Sequence, residues 1–353
     1  MWMKVAQQHK YNKNKMEQLV KMYINVAEQI NINFKSDISD DLQELIDNNP
    51  NRVIFFPDGE YKISKPIMTP ADPEFAVSLK LSDFAIIKAN EDWCSDEAVI
   101  RLGGKLPKND NKSNCSNYGL DGGIIDCSGV AKGISIESGR ETYIRNTSVK
   151  NSQVGIHIKR GANNGSSDAD LTGINIVGNY AADSIGILIE GWDNTLTNIR
   201  ISRINTGVKL VSAGNILRNV HPLYYFTNMK GEYHNSVAFD LGEGGNHLDY
   251  CYSDQFAVGF LLDEKSEPVM QNCFVWYYDK KYKRHTGIKT KGKFNAIVSN
   301  FKIGFIGEEN ENVILDVGEE GGMGIIDNLG CNEKRFITDN TFKKYLKGTF
   351  ICN

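Results

Sequence analysis

The feature of this chain that most restricts its fold is a pair of short patterns that alternate through its middle. One reads apolar–x–Asn–apolar–x–apolar and occurs at Ile144–Val149, Leu196–Ile201, Leu217–Pro222, Met270–Val275 and Val298–Ile303. Its third position is Asn146, Asn198, Asn219, Asn272 and Asn300 in turn, with Gly173 and Tyr250 there in two further copies. The other pattern opens Gly–apolar–x–apolar at Gly133, Gly155, Gly186, Gly207, Gly259 and Gly287, with Ala238 replacing the glycine once. The repeat interval runs from 21 residues (Asn198 to Asn219) to 31 (Asn219 to Tyr250). Two short strands per turn at such a period describe a solenoid whose equivalent strands stack in parallel about 4.8 Å apart. The expectation is an all-β chain, a single-stranded right-handed parallel β-helix, the hand following from the crossover rule for parallel strands.

Alternation then sorts side chains. Ile174, Ile199, Val220, Cys251, Cys273 and Phe301 share one inward position, so the two cysteines read as small apolar core groups. The asparagines occupy a turn position where left-handed backbone is tolerated and an amide can bond its neighbour one turn on. At the N-terminus, Leu19, Met22, Tyr23, Val26 and Ile30 fall at helical spacing within 14–32. They predict an amphipathic helix that closes the solenoid end. Residues 1–35 are thus expected as a helical cap, 36–305 as the β-helix, and 306–353 as a last rung with a C-terminal cap.

Composition narrows the partners. A formal net charge of −4 with scattered Lys and Arg offers no electrostatic footprint for nucleic acid. No apolar run approaches a membrane span, and the first residues lack the apolar core of a signal peptide. Seven cysteines without a CxxC pair point away from a disulfide framework. The expected location is cytoplasmic, or secreted if a leader has been trimmed. No cofactor or metal motif is present, and none is expected.

The segment SDDLQELID…VIFFPDGEYKISKPI, with Asp40, Asp41, Pro57, Gly59 and Tyr61, resembles the opening of the pectate-lyase-like β-helix superfamily, which includes polygalacturonases and phage tailspikes. The resemblance implies the fold and an action on glycans. The Asn-Thr-Asp, Asp-Asp and Gly-His-Gly signature that the polygalacturonase branch carries is missing, since the one Asp-Asp pair lies in the cap.

Candidate chemistry concentrates at 218–285. Outward positions stack His221, Tyr252 and Phe274, and the next outward position holds Asp254 and Trp276. Aromatic rings that stack on sugar C–H faces, beside carboxylates that bond hydroxyls, suit a glycan. Cleavage of a glycosidic bond needs two carboxyl groups, about 5–5.5 Å apart for retention and about 6.5–9.5 Å for inversion. Asp254 with Asp279 or Asp249 is the expected acid–base pair, with Glu243 in reserve. His221 or His247 serves as acid, base or sugar ligand. Tyr224, Tyr225, Tyr252, Trp276, Asp240, Asp263 and Arg218 are the expected substrate contacts.

The expected function is a carbohydrate-active enzyme, a glycoside hydrolase or a glycosyl or fructosyl transferase, acting on an oligo- or polysaccharide. Two alternatives stay open. One is a lyase working by β-elimination with Arg200, Arg203 or Arg218 as base. The other is a non-catalytic tailspike or adhesin, in which the outward aromatics bind glycan or join subunits of a homotrimer.

Overall fold

The protein is described by a computed structural model covering residues 23–32, 37–106, 118–160, 166–225, 227–278, 284–305, 312–317, 321–332 and 341–352. Among these residues the strands form two stacks, one of 19 strands and one of ten, and every registered pair is parallel. The second pattern builds the ten-strand stack, through strands such as Val154–Ile158, Ile185–Ile189, Thr206–Leu210 and Val237–Leu241. The first pattern builds the other, where Ile174, Ile199 and Val220 are direct register partners. Every member of the expected inward row, Ile174 through Phe301, is buried. The β-helix is therefore present as the repeat requires.

The asparagine positions bend that larger stack into two faces. Asn146, Asn198, Asn219, Asn272 and Asn300 have φ between 52° and 57°, and Gly173 and Tyr250 share the left-handed conformation. Their amides form the ladder: Asn219 Nδ2 donates to Asn198 Oδ1 at 2.8 Å, and Asn300 Nδ2 to Asn272 Oδ1 at 3.2 Å. A second amide ladder, unseen in the sequence pattern, lies inside. Asn194, Asn215 and Asn246 are buried, and Asn194 and Asn215 each donate Nδ2 to the next carbonyl oxygen at 3.0 Å.

Glycine opens the second pattern for a spatial reason. A Cβ on Gly155 would stand 2.6 Å from the Gly186 carbonyl oxygen and 2.6 Å from Ile176 Cγ2. Inside the late rungs, Phe239 and Phe260 stack at 4.8 Å and Tyr277 on Phe305 at 5.0 Å.

The ends depart from expectation. The run expected as one helix contains a strand, Tyr23–Asn25, paired in parallel with Val53–Phe55, followed by a single helical turn Val26–Gln29; the part before residue 23 lies outside the described residues. An exposed strand edge on the first rung gains more from pairing than a helix would from packing. The cap proper is the helix Ser39–Asp47, which buries Leu42 and Ile46. Ser39 does not cap it by a side-chain bond; Asp37 instead accepts the Ser39 amide at 2.9 Å. In the segment resembling the superfamily opening, Tyr61 is buried and its hydroxyl donates to the Pro57 carbonyl at 2.8 Å. Burial pushes its pKa up to about 12, so it remains a donor. Beyond residue 306 the parallel ladder continues through Val313–Val317, Ile325–Cys331 and Phe350–Cys352.

Candidate functional site

The strand Ile216–Leu223 and the two-part strand that follows it in register carry the densest chemistry. Past the left-handed residues Asn219 and Tyr250, side chains alternate so that His221, Tyr252 and Asp254 face outward while Val220, Cys251 and Ser253 face the core. Leu223 pairs with Asp254, and Asp254 with Trp276, so these sit on successive rungs of one row. Arg200, His221, Tyr252, Phe274 and Lys302 form the adjoining row.

The geometry of that row is a stack. His221 lies flat on Tyr252, centroids 4.1 Å apart at 17°, and Tyr252 leans on Phe274 at 4.9 Å. Phe274 meets Trp276 at 5.8 Å, and Lys302 sits over Phe274 at 5.6 Å. Gly304 lets the indole lie down, because a Cβ there would be 1.9 Å from Trp276 Cε3. The stack fixes the imidazole, whose Nε2 faces Asp254 Oδ2 at 3.5 Å. That distance exceeds a direct hydrogen bond. His221 Nε2 and Asp254 Oδ1 are both shielded from solvent and lack a hydrogen-bond partner. Buried polar atoms are normally satisfied, so an unsatisfied pair just beneath the aromatic face is an exception that a functional role would explain. Burial first, then the charge of Asp254 and a hydrogen bond to it, push the Tyr252 phenol well above its ordinary pKa. Tyr252 therefore stays a donor toward the carboxylate.

The remaining expected residues divide. Asp249 lies on the other side of the bend at Tyr250, held by Arg218 Nε at 3.6 Å and Asn272 Nδ2 at 3.1 Å, so neither Asp249 nor Arg218 joins Asp254. His247 is exposed on that same other face, and Glu243 is exposed in the preceding turn. Asp240 and Asp263 belong to the ten-strand side, paired with Lys209 at 3.3 Å and Lys291 at 3.0 Å. Tyr224 is buried edge-on against Tyr233 and Phe256, which makes it core and removes it as a sugar contact. Tyr225 is exposed, with Arg203 at 5.8 Å from its ring. Asp279 lies outside the described residues. Among the described residues no group of three or more His, Cys, Asp or Glu is arranged to hold a metal ion.

The sequence offered Arg203 only as a lyase base and Tyr180 not at all; the structure brings them together, Arg203 5.2 Å from the Tyr180 ring, with φ of 58° and 64°. Bulky residues seldom take left-handed backbone, and no residue pattern announces that they do.

Against known proteins, no family model matches the chain. The polygalacturonase QRT3 of Arabidopsis thaliana is 28% identical over 185 residues, 46% of this chain but 34% of that protein, so the match spans about a third of the relative's length. The family 28 exopolygalacturonase of Yersinia enterocolitica is similar in structure with a TM-score of 0.64 and 12% identity, over 88% of this chain and 71% of that one. The tailspike of E. coli bacteriophage HK620, in complex with a pentasaccharide, has a TM-score of 0.67 and 10% identity over 95% of this chain and 66% of its own. An alginate lyase of Paenibacillus sp. aligns at 0.54 and 12% identity, over 79% and 95%. The class is thus the right-handed parallel β-helix, and the fold is the one found in polygalacturonases and phage tailspikes.

Proposed function

We propose that the chain acts on a glycan at the outward face around His221 and Asp254, as a glycoside hydrolase or a related transglycosylase. The observation that carries this reading is the pair itself: two solvent-shielded polar atoms without a hydrogen-bond partner, beside the rings of Tyr252, Phe274 and Trp276. The aromatic wall offers ring faces to sugar C–H groups. Asp254 is the group that takes or gives a proton, or attacks the anomeric carbon. His221, held flat on Tyr252 with Nε2 3.5 Å from Asp254 Oδ2, relays a proton to or from that carboxylate. A second carboxyl group, which this chemistry requires, is assigned to Asp279. The weak sequence match to a polygalacturonase and the shared fold support the class of reaction without fixing the sugar.

The test is a turnover screen of neutral fructans and glucans beside uronates, using wild type, Asp254→Asn and His221→Gln. Product masses and the absorbance of unsaturated ends are recorded together. Water-added or rearranged products, reduced about a hundredfold or more in either variant, support the reading. Unsaturated products transfer the chemistry to a lyase, for which Arg200, beside His221 in register, is the base to test. Binding without turnover leaves a glycan-binding tailspike or adhesin, which the presence of a single described carboxylate at the site favours as the second reading. A homotrimer and a cytoplasmic location remain part of the proposal, tested by mass in solution and by fractionation of the source cell.

A further inference from the structure

Resting on that functional reading, we propose that a groove farther toward the N-terminus is a distal site for the same glycan chain, one that takes neutral, hydroxyl-rich sugar residues remote from the bond at Asp254. The groove encloses about 710 Å³, and Lys62, Lys88, Glu91, Asp92, Asp126 and Tyr180 are among its walls. It opens on the row to which Asp254 belongs. Asp126, Lys150, Val177, Ser202, Leu223 and Asp254 are successive register partners. Those five steps place Asp126 roughly 24 Å from Asp254 along the axis at about 4.8 Å per rung. A pyranose chain advances by about one rung per unit, so about six residues bridge the two sites.

A physical link occupies the interval. Arg203 lies 5.2 Å from the Tyr180 ring, which lines the groove, and 5.8 Å from the Tyr225 ring. Tyr225 directly follows Tyr224, whose amide donates to the Asp254 carbonyl at 2.9 Å. Ser128, Asn151, Tyr180 and Arg203, at or just past the ends of successive strands, all have left-handed backbone, with φ of 52°, 56°, 64° and 58°. Serine and asparagine serve at the first two positions, whereas Tyr and Arg at the next two place a ring and a planar cation along the track at a backbone cost.

The charge of the groove indicates the ligand class. Two lysines there face three carboxylates, and both lysines also reach Glu60, at 3.5 and 3.6 Å. Asp126 already accepts from the Ser128 amide and from Asn151 Nδ2, each at 2.9 Å. No surplus of cations selects an anion. Interspersed donors, acceptors and one ring match the hydroxyls and C–H faces of neutral sugars.

The experiment is calorimetric titration of wild type, Tyr180→Asn and Lys88→Gln with fructan, glucan and oligogalacturonide ladders from disaccharide to decasaccharide. Turnover of the same ladders is measured alongside. Asparagine keeps the left-handed backbone at 180, so the melting temperature of Tyr180→Asn is expected to hold or rise, which separates lost binding from lost fold. Affinity of wild type for a neutral ladder should climb until about the hexasaccharide. The ratio of hexasaccharide to disaccharide affinity should fall about tenfold in Tyr180→Asn. A length dependence identical in wild type and both variants overturns the distal site while leaving the Asp254 site standing. Preference for the uronate ladder overturns the neutral-sugar assignment. Absence of binding and turnover by wild type with every ladder overturns the functional reading and the distal site together.

Discussion

Asp254 presents one carboxyl oxygen to His221 and leaves the other without a partner, and it does so from a strand only three residues long, Tyr252–Asp254. Precision at so short a strand comes from its neighbours. The flat contact of His221 on Tyr252 and the lean of Tyr252 on Phe274 set the imidazole plane before any substrate arrives. Tyr252→Phe is expected to keep the stack and lose the hydrogen bond to Asp254. Turnover should drop about tenfold with the melting temperature unchanged, measured by initial rates and calorimetry. Gly304→Leu tests the wall. Its side chain collides with the Trp276 ring, which must swing off the face, so glycan affinity should fall while far-UV dichroism stays that of the wild type. Unchanged affinity would remove Trp276 from the binding surface. At the bend, Asn219→Ala loses the bond to Asn198 and puts a β-carbon residue without a local partner at φ 53°, at a cost of about 1–2 kcal/mol seen in denaturant melts. Asn219→Gly, which keeps the backbone freedom, should cost less.

At the scale of elements, the ten-strand side is joined by charge as well as by its ladder. Arg101 grips Glu137 with two nitrogens at 2.7 Å, and Lys159 adds a contact at 3.0 Å. Burial raises the Glu137 pKa, but hydrogen bonds from Arg101, Lys159 and Ser135 outweigh it and hold the carboxyl at about 2. A depressed folded-state value means the contribution is present above the unfolded pKa, near 4.5, and is lost as pH falls toward 2. The shift bounds it at about 3 kcal/mol. Glu137→Gln should therefore lower stability at neutral pH and flatten the loss between about pH 4.5 and 2, read from urea midpoints across pH; parallel wild-type and variant curves would contradict this. The periodicity of the sequence made the inward row and the His221–Tyr252–Phe274 row legible, because a fixed bend at each Asn carries the register from rung to rung. Asp249 was paired with Asp254 although Tyr250, in the turn position that Asn holds on other rungs, bends the chain between them. Tyr224 faces inward because the alternation that buries Val220 and Pro222 continues one residue past the strand end at Leu223. The inner ladder Asn194–Asn215–Asn246 also escaped notice, as each Asn precedes its strand and lies outside the repeating pattern.

For the whole molecule, a solenoid couples each rung mainly to its neighbours, so a long outward face can carry a track while the core keeps only registry. No helix among the described residues is long and apolar enough to cross a membrane. The likeness to polygalacturonase and tailspike structures at 10–12% identity is a likeness of fold. Whether His221 and Asp254 process a glycan is decided by the product spectrum of wild type and Asp254→Asn on a panel of neutral and acidic glycans. A panel member converted by wild type to water-added or rearranged fragments, with conversion reduced at least about a hundredfold in Asp254→Asn at undiminished melting temperature, is the predicted result. Conversion that survives the substitution, or no conversion of any glycan by wild type, would contradict it.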